Sequence, residues 1–186
     1  MSIEEEKGKL INDIVERELA MFLATPNEGG TSVCQTRPNS FRVMRWMNHC
    51  THDVETLASY LEDLKDAALT GRNFMIEKYA RMDDRIPPLS NSPLLDEITE
   101  TEIRFLQEAS ARYPHAIHVN CDSIFRRYFR CELETLSDRT LELYAAEMKR
   151  AVQEGRNTAI ERYDRLWNKL GEVSLEAYEK KLASQQ

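Results

Sequence analysis

The sequence contains few residues that interrupt helices and few segments with the alternating pattern of strands. Six glycines and six prolines are spread over 186 residues, while leucine, alanine, glutamate, lysine and arginine dominate. This composition is typical of packed helices, because glycine and proline weaken helix interiors. We therefore predict an all-α fold that forms one domain over residues 1–186.

Long hydrophobic runs and an excess of positive charge are also missing. No apolar run approaches the roughly 18 to 20 residues that a membrane span needs, so we expect no membrane segment. The formal net charge of −7 at pH 7 argues against general nucleic-acid binding, because phosphate contacts require a basic surface.

Motifs for disulfide, metal or nucleotide chemistry are likewise lacking. The cysteines at positions 34, 50, 121 and 131 form no CxxC pair, and the initial MSIEEEKGK has no apolar signal core. We expect reduced thiols and a cytoplasmic location. Because no P-loop, dinucleotide fingerprint, HExxH or serine-hydrolase motif occurs, we expect no cofactor.

The chain nearly repeats itself. GRNFMIEKY at residues 71–79 returns eighty-four positions later as GRNTAIERY at 155–163, and aligning 56–82 with 140–166 gives twelve identities without a gap. In this motif glycine suits the left-handed end of one helix and asparagine caps the next. We predict two tandem repeated helical halves with pseudo-twofold symmetry. They cover about 3–83 and 96–186, and a Pro/Ser-rich connector at about 84–95 joins them.

Several short motifs resemble those of a family of small proteins catalogued as a domain of unknown function. They are NEGG at 27–30, CQ at 34–35, MR at 44–45, SY at 59–60, GRN at 71–73 and EKYA at 77–80. The second half matches the family through YFRCEL at 128–133 and SDRTLELY at 137–144. Departures include Leu19 where the family pattern has Trp and Cys131 where it has Gly. The resemblance implies no established reaction, so it supports the fold more than a function.

The loop NEGGTSVCQ, residues 27–35, is the best candidate site because it has no counterpart by spacing in the second half. It combines a carboxylate, amides, a thiol and two glycines that allow a ligand to approach the backbone. We predict catalytic roles for Glu28, Cys34, Lys78 and Tyr79, with acid–base work at Glu28. The predicted substrate-binding residues are Asn27, Gln35, Arg45, Arg72, Asn73 and Arg130.

Two functions are compatible with these residues. The first is a small cytosolic enzyme that acts on a small anionic metabolite, bound through the arginines. The alternative is a non-catalytic helical module that binds a ligand or partner and uses its polar motifs to fasten the halves. Convergence of Glu28, Cys34 and Arg45 in a polar cavity would favour the enzyme, whereas mutual pairing would favour the module. The substrate, the reaction and the oligomeric state, including a homodimer, stay open.

Two groups of histidines have spacing that metal sites also use. His115, His118 and Cys121 stand at three-residue steps, and His49 and His52 are three residues apart. Zinc accepts such ligands, but neither group alone supplies four of them. We therefore predict no metal site and interpret these side chains as loop or surface histidines, although the sequence leaves open whether either group binds a metal.

Overall fold

A computed structural model of the chain describes residues 2–26 and 33–185, except for the side chains of residues 33 and 34. Within these ranges the fold is all-helical, as the composition predicts, and contains nine α-helices and no strand. The first four are α1 (Ile3–Leu23), α2 (Pro38–His49), α3 (Val54–Thr70) and α4 (Phe74–Met82). The others are α5 (Leu94–Arg112), α6 (Ser123–Leu133), α7 (Asp138–Gln153), α8 (Thr158–Lys169) and α9 (Leu175–Ala183). A 3-10 helix, Val33–Thr36, precedes α2.

The helix ends lie at the residues that favour them. Ser2 begins α1 with a capping box, as the sequence indicates. Gly71 ends α3 in the left-handed conformation at φ 70°, and Gly155 follows α7 at φ 66°. Asn73 and Asn157 then cap α4 and α8 by accepting backbone N–H groups. The glycine and asparagine of each GRN motif therefore make one tight connection between two helices.

The helices form two neighbouring groups, and helices of one group also pack against helices of the other. Helix α1 packs against α2, α3 and α4, and α5 packs against α6, α7 and α8. Between the groups, α4 lies against α6, α2 against α8, and α3 against α7. The first hydrophobic cluster centres on Ile14 and Leu57, and the second centres on Ile98 and Leu141. Leu136 packs against both clusters, so the two cores meet at its side chain.

Side-chain hydrogen bonds fasten α3 to α7. The Thr56 hydroxyl donates to Glu147 over 2.5 Å, and the Thr140 hydroxyl donates to Asp63 over 2.7 Å. Both threonines are buried, so these bonds to charged acceptors hold the helix pair at a fixed register. In the described ranges, none of the helices has the length and apolar character needed to cross a membrane.

Candidate ligand-binding cavity

A cavity of about 220 Å³ lies where helices α2, α3, α5, α6, α7 and α8 meet. Met44 lines it and is 52 % exposed, so the cavity approaches the surface beside this residue. A dry apolar cavity of about 150 Å³ accommodates benzene, so this volume suits a molecule of roughly nine heavy atoms. Much of the wall is apolar and comes from Leu57, Leu106, Val119, Phe125, Phe129, Leu133 and Leu136.

One side of the cavity is closed by a buried charge network around Glu18. This α1 carboxylate has no exposed surface and receives two hydrogen bonds from Arg45 of α2, at 2.8 and 2.5 Å. His49 Nε2 lies 3.1 Å from both carboxylate oxygens, and the Tyr60 hydroxyl donates to Oε1 over 2.8 Å. Because an ionised carboxylate only accepts hydrogen bonds, Nε2 of His49 carries the proton.

The network continues from Arg45 to a second carboxylate on α6. Arg45 Nη1 donates to Glu132 over 2.9 Å, and Lys78 of α4 donates to the other Glu132 oxygen over 3.0 Å. Lys78 also donates to the Tyr128 hydroxyl over 3.0 Å. Arg45 and Lys78 are therefore both committed to structural ion pairs that join the two helix groups.

The protonation states follow from this pairing. Burial alone would raise the pKa of Glu18, but Arg45 and His49 lower it below its usual range. Burial would likewise raise the pKa of Glu132, whereas Arg45 and Lys78 lower it to about 2. Burial would lower the pKa of Lys78, but the Glu132 carboxylate raises it. Both carboxylates are ionised at neutral pH, and Lys78 stays charged, which makes it a poor general base.

A second buried ion pair also lines the cavity. Arg162 of α8 pairs with Glu102 of α5 through both terminal nitrogens, while its Nε has no hydrogen-bond partner among the described residues. The hydroxyls of Tyr144 and Tyr163 also line the cavity and make no hydrogen bond within that part of the chain. Burial and the negative charge of Glu102 raise the pKa of Tyr144, so its hydroxyl stays protonated.

The predicted NEGG-CQ site lies largely beyond what the structure covers. Asn27 and Glu28 fall outside the described residues, and so does the side chain of Cys34. Gln35 is described, and its amide donates to the carbonyls of Phe22 and Thr25, both over 2.9 Å. Gln35 thereby joins the 3-10 helix to the end of α1. The proposed chemistry of this loop stays a prediction.

The remaining predicted site residues do not gather around one point. Arg72 forms a bidentate ion pair with Glu77, at 2.8 Å for both bonds, on an exposed surface. Asn73 caps α4 and donates to the Met21 carbonyl over 2.9 Å. Arg130 pairs with Asp96 and Glu134. Of the arginines predicted to bind substrate, only Arg45 lines the cavity, while Tyr79 is 36 % exposed outside it.

Three of the four histidines lie beside glutamates. His49 belongs to the Glu18 network, and His52 Nδ1 lies 2.6 Å from Glu147. His115 Nδ1 lies 2.6 Å from Glu179 of α9. Within the described ranges, no three or more His, Cys, Asp or Glu side chains are grouped so that they could hold a metal ion.

Sequence reasoning missed most of the polar residues that shape the cavity. They are Glu18, Tyr60, Glu102, Glu132, Tyr144 and Arg162. A usable signal existed, since the eighty-four-residue offset aligns Glu18 with Glu102 and Tyr60 with Tyr144. Charged residues on helices usually face water. The charged residues of the cavity differ from such surface residues only in their burial, which the sequence does not show.

These features define the class of the molecule: an all-helical domain with a small internal cavity between buried ion pairs. The chain belongs to the family described as Protein of unknown function (DUF4125), whose model matches residues 8–180. This match confirms the resemblance inferred from the short motifs. Searches among curated proteins and solved structures gave no match.

Proposed function

We propose that the protein is a non-catalytic helical module that binds one small, largely apolar molecule in the cavity. The observation that carries this proposal is a pair of polar groups without hydrogen-bond partners on a largely apolar wall. They are the hydroxyls of Tyr144 and Tyr163, which make no hydrogen bond among the described residues. A hydrogen bond to a neutral group contributes about 0.5–1.5 kcal/mol. A ligand that supplies acceptors to these hydroxyls would gain that free energy on binding.

We also propose that residues of about 3–83 and 96–186 are two copies related by a pseudo-twofold axis, with the cavity between them. Contacts that recur at the eighty-four-residue offset support this relation. The Asn73 amide donates to the Met21 carbonyl, and the Asn157 amide donates to the Phe105 carbonyl. Further matching pairs are Arg72–Glu77 with Arg156–Glu161, Arg42–Glu16 with Arg126–Glu100, and Thr56–Glu147 with Thr140–Asp63.

Binding is favoured over catalysis because the side chains offered for catalysis are already committed or lie elsewhere. Lys78 is held between Glu132 and Tyr128, and Arg45 between Glu18 and Glu132. An enzyme would depend on Glu28, which lies outside the described residues. The pairing of Arg45 agrees with the alternative in which polar motifs fasten the halves.

A reducing, cytoplasmic setting is part of the same proposal. Cys50, Cys121 and Cys131, the cysteines whose side chains are described, are free thiols. Burial raises the pKa of each of them. Such thiols are weak nucleophiles and behave as small apolar residues, which suits proteins kept in a reducing compartment.

A thermal-shift screen of small neutral, cationic and anionic compounds tests the proposed binding. A ligand at a hundred times its Kd adds about 2.7 kcal/mol to the free energy of unfolding. For a chain of this size that corresponds to an increase in Tm of roughly 5–10 °C. We expect at least one compound to reach this range with the wild-type protein.

A cavity-filling variant locates the binding. Val119 lines the cavity from the loop before α6, and Val119→Phe should occupy part of its volume and abolish the shift. The matched control is Val152→Phe, because Val152 is 42 % exposed on α7 and does not line the cavity. The proposal fails if no compound raises the Tm of the wild-type protein, or if Val119→Phe responds as fully as Val152→Phe.

A further inference from the structure

We propose that the ligand is a small amine, whose protonated nitrogen binds Glu102 and the neighbouring tyrosine hydroxyls while its apolar body fills the cavity. This inference rests on the proposed function and names the chemical class of the ligand. It follows from a comparison of two buried carboxylates, Glu18 and Glu102, that occupy equivalent sequence positions but have different partners.

Glu18 is the example of a buried carboxylate in this fold that accepts hydrogen bonds from three different side chains. A guanidinium from Arg45, a ring N–H from His49 and a hydroxyl from Tyr60 all donate to it. These three side chains line the cavity, whereas Glu18 lies behind them. The first carboxylate is therefore shielded from any ligand by its own donors.

The site of Glu102 lacks two of those three donors. Eighty-four residues after Arg45, His49 and Tyr60 stand Phe129, Leu133 and Tyr144. The phenylalanine and leucine have no polar hydrogen, and the Tyr144 hydroxyl makes no hydrogen bond among the described residues. Among the residues that the structure describes, Glu102 accepts hydrogen bonds only from Arg162, and Glu102 lines the cavity. The Glu102 site thus has apolar side chains at the two positions where a guanidinium and an imidazole donate to Glu18.

The groups around the cavity favour a cation over an anion. Five carboxylates lie at or just behind its wall, and they are Glu18, Asp63, Glu102, Glu132 and Glu147. The three permanent cations are Arg45, Lys78 and Arg162, and each is paired with a carboxylate. An anionic ligand would find no unpaired cation among these residues, and burying it would be costly.

The remaining wall matches the rest of such a molecule. An ammonium group has three donors, and the Glu102 carboxylate, the Tyr144 oxygen and the Tyr163 oxygen are acceptors beside the cavity. The rings of Phe125 and Phe129, whose centroids are 6.3 Å apart, offer an apolar and π-rich surface. A primary amine on a single hydrocarbon ring has a suitable size for the cavity volume.

Three probes of similar shape and different charge test the inference with the wild-type protein. They are benzylamine, benzyl alcohol and benzoate, each titrated at pH 7 by calorimetry and by thermal shift. We expect benzylamine to bind at least tenfold more tightly than benzyl alcohol, a factor in keeping with a hydrogen bond to a charged group. Benzoate should show no measurable binding.

Two variants locate the charged end. Glu102→Gln should remove the preference for benzylamine over benzyl alcohol while keeping the apolar contacts. Tyr144→Phe removes no hydrogen bond within the described residues, so this variant should fold normally. It should weaken benzylamine binding several-fold, and it keeps the test valid if Glu102→Gln proves unstable. Undiminished benzylamine binding in both variants would overturn the assignment.

The results separate this inference from the proposed function. If benzyl alcohol or benzoate binds as tightly as benzylamine and Val119→Phe abolishes that binding, the cavity binds ligands but the amine assignment is wrong. The amine assignment is also wrong if the broader screen yields only ligands without a basic nitrogen. If neither the probes nor the screen gives binding, both proposals fail.

Discussion

The paired tyrosines Tyr60 and Tyr144 lead to opposite expectations for the same substitution. The Tyr60 hydroxyl donates to Glu18 over 2.8 Å, and the carboxylate has no exposed surface. A hydrogen bond to a charged group contributes about 1.5–3 kcal/mol, so Tyr60→Phe should lower the free energy of unfolding by that amount. The loss should not exceed this range, because the Glu18 carboxylate would still accept hydrogen bonds from Arg45 and His49.

Tyr144→Phe should have almost no such cost in the absence of ligand. Its hydroxyl makes no hydrogen bond within the described part of the chain, and it lines the cavity. Removing an unpaired buried hydroxyl changes stability by about zero, or increases it slightly, because no partner is left unsatisfied. The ring and its edge-on contact with His52, at 4.5 Å between centroids, are retained.

Urea denaturation of both variants, followed by helical circular dichroism, measures this contrast. The denaturant slope should match that of the wild-type protein, so that midpoint shifts report free energy. Tyr79→Phe serves as a surface control, because Tyr79 is 36 % exposed outside the cavity. Equal losses for Tyr60→Phe and Tyr144→Phe, or a larger loss for Tyr144→Phe, would refute the distinction between the filled and the open carboxylate site.

Two further predictions concern the helix connections and the buried carboxylates. Gly71→Ala and Gly155→Ala should each lower the free energy of unfolding by about 1 kcal/mol in urea denaturation. Both glycines have φ near 70°, and no atom of the described residues lies within 4 Å of an added Cβ. Clearly unequal losses would argue against equivalent connections. The pKa of Glu132 falls to about 2 on folding, so its stabilising contribution is present above pH 4.3, the ordinary glutamate pKa, and is lost as the pH falls toward 2. Glu132→Gln should therefore flatten the decline in unfolding free energy between pH 5 and 3, and an unchanged decline would contradict the lowered pKa.

Local features of the fold could be predicted because they depend on neighbouring residues. The Ser2 capping box, the left-handed Gly71 and the Asn73 and Asn157 caps each involve side chains within one helical turn of the backbone that they serve. The all-helical composition follows from similar preferences, summed over the chain. Such signals need no knowledge of which helices meet.

The cavity could not be predicted in the same way. Arg45 bonds to residues 27 and 87 positions away, and Lys78 reaches across 54 positions to Glu132. Nothing local distinguishes such charges from those on a solvated helix surface, so the sequence alone favours an anion as the partner of the arginines. In the structure Arg45 pairs with two carboxylates, so its role is structural and not the binding of an anionic ligand. The eighty-four-residue offset is the sequence signal that points to Glu102 as the counterpart of Glu18.

A crystal structure of the protein with benzylamine, or with the tightest amine from the screen, would test amine binding in the cavity most directly. We expect electron density for the ligand inside the cavity, with its nitrogen within hydrogen-bond distance of Glu102 and its ring against Phe125 and Phe129. Density only on the outer surface, or a cavity filled by repacked side chains while the amine is bound elsewhere, would contradict the proposed binding at Glu102.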